Sequence, residues 1–228
     1  MPVIIFRHDV YICKMPDCVL GSQYIPSIEY FAHWIQHGEI LIEAHENFQK
    51  RSWRNRTGIL SPVDPLLLTV PLQKGKHQQM NIRDVLISYD EPWPEQHVRS
   101  IQTAYGKTAF AEEVLEGLFM NINSRKESLW ELNIALLDYL ASLLPGDWTY
   151  SFTKHFEKSY AKEIYDFRSG IPAGITGISD QKIPQYPQVQ RLHQTFQPNL
   201  SILDALCHLG PGTIDYLSQY AAQLYTQT

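Results

Sequence analysis

The chain predicts an α/β fold with a central, partly parallel sheet flanked by helices. Three observations carry this. Residues 18–44 read strand, turn, helix, strand, the opening of a parallel α/β unit. Two further short apolar runs, Leu66–Leu72 and Asp84–Tyr89, are bounded by polar or proline-rich turns. After Tyr89 the apolar spacing changes from strand-like to helical.

Taken in order, residues 1–14 form a leading segment whose apolar run stops at Arg7, too short for a signal peptide. Residues 15–228 read as one domain. Cys18-Val19-Leu20, ended by Gly21, predicts the first strand. Ile28, Phe31, Trp34 and Ile35 recur at helical spacing between Pro26 and Gly38, residues suited to a helix start and a helix end. Glu39–Ala44 predicts the second strand, and Leu66–Leu72 and Asp84–Tyr89 the third and fourth. A helix then runs from Pro94 toward Gly106, with His97, Ile101 and Tyr105 on one face. A second helix carries Phe110, Val114, Leu118 and Ile122. Ser124 and Glu127 have the spacing of a capping box ahead of a long helix through Leu129–Leu143, which Pro145-Gly146 ends. Trp148–Thr153 predicts another strand. The stretch at 167–187, rich in Gly and Pro and without period, predicts an irregular loop that is a lid, a partner-binding segment or partly disordered. Val189–Phe196 and Leu200–Leu209 predict two more helices. The strand-first, helix-rich order gives Rossmann-like layering.

Composition excludes several classes. Net charge −5 argues against a duplex nucleic-acid binder, which needs a broad basic footprint. The longest apolar helix pattern is interrupted by Asp138 and is too short for a membrane span. Three cysteines, an odd number without a CxxC pair, fit a reducing, cytoplasmic compartment. No GxSxG, GxxxxGK[ST] or HExxH motif is present, and GITGIS at Gly174 is not a dinucleotide fingerprint. Nothing in the sequence calls for a cofactor, and a homo-oligomer is left open.

Against the acidic background, Lys50, Arg51, Arg54 and Arg56 stand within seven residues, just after Glu43, His45 and Glu46. Such a cluster is either a solvated strand end or an anion site, and arginine's planar fork matches phosphate and carboxylate oxygens. His33 and His37, four apart on one helix, have the spacing of two metal ligands, but no third ligand follows from spacing. Histidine near a helix C-terminus is also favoured by the helix dipole, and that reading is preferred over a metal site. His97, in the first or second turn of its helix, is held neutral by the helix dipole and is the candidate general base. Its plain alternative is a hydrogen-bonded core histidine.

Four motifs in order carry a resemblance. They are Tyr24-Ile25-Pro26-Ser27-Ile28-Glu29-Tyr30-Phe31, then KRSWRNR at Lys50–Arg56, LTVPL at Leu68–Leu72, and the run Trp93–Lys107 ending IQTAYGK. Over residues 18–144 the chain resembles the WbqC-like protein family, and Phe196–Gly210 is similar to one branch of it. The matched motif positions are Tyr24, Pro26, Lys50, Asn55, Arg56, Trp93, His97 and Tyr105. The resemblance implies a role in bacterial O-antigen biosynthesis and an aminoacyl (glycine) transferase-like activity. One departure stands out: many relatives open with His-Gln-Pro-x-Tyr, whereas Leu20-Gly21-Ser22-Gln23 precede Tyr24 here.

Together these readings predict a transferase of an aminoacyl, acyl or sugar group from an activated donor. The alternative is a non-catalytic ligand-binding or scaffold protein of a polysaccharide assembly, and a weaker third reading is a nucleotide-binding domain. The catalytic candidates are His97 as base with Glu46 or Tyr105 orienting it. Tyr24, Pro26, Lys50, Arg54, Asn55, Arg56 and Trp93 are the substrate-binding candidates, and the ligand is a small molecule bearing phosphate or carboxylate.

Overall fold

The computed structural model describes residues 16–61, 64–75, 79–169, 183–188 and 195–226. The leading segment, most of the loop at 167–187 and most of the Val189–Phe196 helix therefore lie outside the described residues.

The opening unit is β1 (Cys18–Gly21), α1 (Ile28–His37) and β2 (Glu39–Glu43). Ser27 caps α1 by accepting from the Tyr30 N–H at 3.3 Å. Gly38, at φ 80°, ends it and returns its N–H to the Trp34 carbonyl. The chain continues with β3 (Arg56–Leu60), β4 (Pro65–Thr69), α2 (Trp93–Tyr105), α3 (Ala111–Ile122), α4 (Leu129–Ser142), β5 (Thr149–Phe152), β6 (Tyr165–Asp166), α5 (Ile202–Leu209) and α6 (Thr213–Tyr225).

Four strands form one parallel sheet in the order β5-β2-β1-β6, and β3-β4 make a separate antiparallel pair. β1 is buried along its whole length, as expected for an inner strand of a parallel sheet covered on both faces. α1 lies against this sheet and α6, with Trp34 stacked on Phe31 and edge-on to Trp148. α3 and α4 pack together beside it.

Three local expectations are corrected. Asp84–Tyr89 is no strand: it starts in a single 3-10 turn, Ile82–Asp84. Its backbone then bridges Leu72 on one side and the start of α4 on the other. Those same bridges fix where α4 begins. The Leu129 N–H bonds the Val85 carbonyl, so the cap is Ser128, which accepts from Glu131 N–H at 3.2 Å. Ser124, the expected cap, instead bonds back to the Asn121 carbonyl. The third apolar run does form a strand, but it stops at Thr69, and its partner β3 begins inside the basic cluster, at Arg56.

What positions the site is the strand order. From β1 the chain moves outward through β2 to β5, then returns to place β6 on the other side of β1. The direction of winding thus reverses between β1 and β6. In open α/β sheets the crevice beyond the carboxyl ends of such strands is where ligands bind.

Candidate functional site

A cavity of about 190 Å³ occupies that place. Its walls are the residues following β1 (Gly21, Ser22, Gln23), the Gln49–Arg54 loop beyond β2, and the residues following β6 (Phe167, Arg168, Ser169). The loop after β1 is held in an unusual shape. Ile25, a β-branched residue, has φ 47°. The Thr57 hydroxyl donates to its carbonyl at 2.8 Å, and the neighbouring Tyr24 N–H bonds the Trp53 carbonyl at 2.9 Å. Left-handed backbone at such a residue persists only where the surroundings over-determine it, and it concentrates at functional sites. Gly21 is required by close approach: a Cβ there would sit 3.0 Å from Arg54 Nη2 and 3.3 Å from Glu46 Oε1.

Beneath the cavity lies a layer of paired charge, three carboxylates on two guanidinium groups, buried except at Asp166. Arg54 forms a bidentate pair with Glu46, Nε to Oε1 at 2.7 Å and Nη2 to Oε2 at 2.5 Å, and also donates to the Arg168 carbonyl. Arg168 binds Asp166 through Nε and Nη2 at 2.8 and 2.6 Å, and Glu43 through Nη1 at 3.0 Å. Phe156 and Tyr160 lie over its guanidinium. Glu43, fully buried, also accepts from the Thr153 hydroxyl and the His45 N–H. Burial pushes the Glu46 carboxyl above the usual carboxylate range, against the pull of Arg54. At Asp166 burial pushes the same way, but the hydrogen bonds from Arg168 prevail and hold it low. Asp166 in turn keeps the Arg168 guanidinium firmly protonated.

Lys50 and Arg51 complete the mouth of the cavity. Both are exposed, and neither has an ion-pair partner among the described residues. Arg51 is also held at φ 58°. The basic cluster is therefore divided: Arg54 is consumed by Glu46, while Lys50 and Arg51 face the opening.

His97, Tyr24 and Trp93 come together in a different place. His97 Nδ1 lies 2.8 Å from the Tyr24 hydroxyl. Trp93 packs edge-on against both rings and donates to the Ser88 carbonyl at 3.1 Å. Burial lowers the His97 pKa to about 4, against the pull of the Thr69 backbone, so the ring is neutral at pH 7. None of these three side chains lines the cavity between β1 and β6.

Two expected partners of His97 are elsewhere. Glu46 belongs to Arg54, because both follow β2 in one loop and meet beyond the carboxyl end of the sheet. Tyr105 shares a helix with His97, but two helical turns carry its hydroxyl to Leu60 N–H at 3.1 Å and to buried Asp204. Asp204 also accepts from Tyr186 at 2.5 Å and Gln188 at 2.8 Å. Pro26 is buried and its carbonyl receives the Ile202 N–H. Asn55 grips the Val70 backbone through both its main chain and its side-chain amide. Arg56 lies on β3, beside a second groove with Lys50 and Arg51. The His33 and His37 rings share the Tyr225 hydroxyl, each at 2.8 Å, and His37 also meets Asp17, so this pair links α1 to α6. Among the described residues no group of three or more metal-ligating side chains gathers.

Sequence reasoning did not single out Arg168 and Asp166, whose role arises from the pairing of β6 with distant β1. Asp204 had a readable signal: it is the one acid in the apolar helical run LSILDALCHL. Among the described residues no helix is long and apolar enough to cross a membrane.

The sequence profile of the WbqC-like protein family matches residues 21–166, from the end of β1 to the end of β6. The chain is similar to a Mycobacterium tuberculosis protein described as uncharacterized protein Rv1507c. The two are 26% identical over 224 residues, covering 87% of this chain and 96% of that one. No solved structure matches the chain.

Proposed function

The chain belongs to the WbqC-like protein family, and from that premise we propose that it acts in bacterial cell-surface polysaccharide (O-antigen) biosynthesis. It binds a small molecule bearing phosphate or carboxylate in the cavity between β1 and β6. There it transfers an aminoacyl, acyl or sugar group from an activated donor. The observation that carries the reading is the cavity itself. It sits at the reversal of strand order, with two exposed cations at its mouth that have no ion-pair partner among the described residues, and a floor of paired charges below. Lys50 and Arg51 meet the anion, and Arg54 and Arg168 shape the floor without being free to leave their carboxylates. A cytoplasmic setting fits the buried thiols of Cys18 and Cys207, both pushed up to about 12 by burial.

One observation favours a second reading, a binding protein without turnover. His97 is buried, its Nδ1 is taken by the Tyr24 hydroxyl, and the ring does not line the cavity, so the candidate base does not face the ligand. A calorimetric titration with nucleotide sugars, acyl phosphates and inorganic phosphate tests the site. The double variant Lys50→Ala, Arg51→Ala should remain folded and lose about 1–3 kcal/mol of binding, the range for hydrogen bonds to charged groups. Unchanged affinity would sink the site assignment. Binding of a donor without product, in the presence of acceptor mixtures, selects the second reading.

A further inference from the structure

The Lys50–Arg51 corner also borders a second cavity, a groove of about 340 Å³. Its cationic lining is Lys50, Arg51 and Arg56. Its apolar wall is Val70, Pro71 and Leu72, with Phe48. The two meet because Arg56 pairs with Thr69 across the β3–β4 ladder, and the chain beyond Thr69 continues along the groove.

Arg56 differs from the two carboxylate-bound guanidinium groups of this region. Arg54 and Arg168 are saturated by carboxylates and carbonyls. Arg56 has no ion pair among the described residues, and its Nε is shielded from water with no hydrogen-bond acceptor among them. A shielded donor with nothing to donate to is unfavourable in the empty protein, and an anion arriving beside it removes that cost. Inorganic phosphate alone would leave the apolar wall unused. The volume falls within the range of small-molecule sites.

We propose that this groove is a second ligand site, for a small organic anion with an apolar body, anchored by Arg56 and packed against Val70-Pro71-Leu72. It rests on the proposed function only where Lys50 and Arg51 face both cavities.

Octyl phosphate, kept below its micelle-forming concentration, is the probe, with inorganic phosphate as the control, both followed by isothermal titration calorimetry. Octyl phosphate should bind at least tenfold tighter than phosphate. Arg56→Gln should weaken it at least tenfold, and Leu72→Trp, which fills the groove, should abolish it. Ser169→Trp, which fills the cavity between β1 and β6, should leave it within twofold. Equal affinity for the two anions overturns the proposal, as does an Arg56→Gln variant that binds normally. So does loss of octyl phosphate binding in Ser169→Trp, since it would place the amphiphile in the other cavity. If Arg56→Gln does not fold, Leu72→Trp decides the matter alone. Arg56-dependent retention on phosphatidylglycerol vesicles without any response to octyl phosphate would assign the chemistry to a membrane lipid and overturn a small-molecule site. If the Lys50→Ala, Arg51→Ala protein keeps all its phosphate and donor binding while Arg56→Gln still loses octyl phosphate, the proposed function fails and the groove stands.

Discussion

Glu46 and His97 are both buried polar side chains with partners in place, yet their surroundings are opposite in kind. Glu46 belongs to a layer of three carboxylates and two guanidiniums beyond the carboxyl ends of β1, β2 and β6. His97 belongs to a neutral trio with Tyr24 and Trp93, beside the Thr69 backbone. In the charged layer every ion is held by an opposite one, and next to it Lys50 and Arg51, without ion-pair partners among the described residues, stand at a cavity mouth. In the neutral trio the hydrogen bonds of Tyr24 and Trp93 end on another member or on backbone, and no charge stands beside them at a cavity mouth. A buried network therefore points to binding only where it has an unmatched remainder that reaches solvent. By that criterion the basic corner is the better candidate, and the histidine is a brace.

The sharpest way to break this comparison is to remove one ion. Arg54→Ala leaves Glu46 as a buried, unpaired carboxylate, and breaking a buried pair from one side costs about 3–5 kcal/mol. Chemical denaturation reads it. A loss below about 1 kcal/mol, the level of exposed pairs, would mean that the layer is wetter than its geometry shows.

A smaller effect separates the neutral trio. The folded His97 binds its proton about two and a half pH units lower than a free histidine does, so between pH 6.5 and 4 the unfolded chain holds more protons than the folded one. Stability from this residue is fully present above pH 6.5 and falls as pH drops, by about 3 kcal/mol at pH 4. Glu46 and Asp204, both raised by burial, act in the opposite direction, so the readout is the difference between wild type and His97→Gln. The two stability curves should converge as pH falls from 6.5 to 4. Parallel curves would mean that His97 takes up its proton at the same pH folded and unfolded.

The smallest effect tests how tightly the charged layer is fitted. Gly21→Ala places a methyl group against Arg54 and Glu46 and within 3.4 Å of the Arg168 carbonyl. Crowding of that kind costs about 1–3 kcal/mol. Thermal melts of Gly21→Ala should show the loss, and an unshifted melt would mean the guanidinium yields freely.

How much of this was readable from residues alone follows from how local each feature is. β1, α1 and β2 were legible because apolar spacing, the Pro26–Ser27 start and the Gly38 end agree over a short stretch. Asp84–Tyr89 was not, because an apolar run becomes a strand only if a neighbouring strand takes up its hydrogen bonds. Here those bonds go to Leu72 and to the head of α4. β3 was hidden under the basic cluster that supplies its first residue. Of the eight positions matched by the family resemblance, Tyr24, Trp93 and His97 are in mutual contact, a grouping that no spacing in the sequence encodes. The assignment of Glu46 to His97 needed tertiary placement that no spacing encodes. Its true partner, Arg54, was eight residues away in the same stretch.

The two-residue strand β6 has a consequence for how the molecule is made. It pairs Tyr165 with Cys18 and Asp166 with Val19, contacts between residues 147 positions apart in the chain. Such pairings carry the full entropic cost of closing a long loop before any contact rewards it, so they raise the contact order of the fold. On a ribosome, a chain halted before Tyr165 can hold β1, α1 and β2, with Lys50 and Arg51 already emerged. It still lacks Arg168 and one wall of the cavity, and its Glu43 has no counter-ion. The candidate site is thus completed only when Ser169 has been made, although most of the residues that line it come from before Asn55.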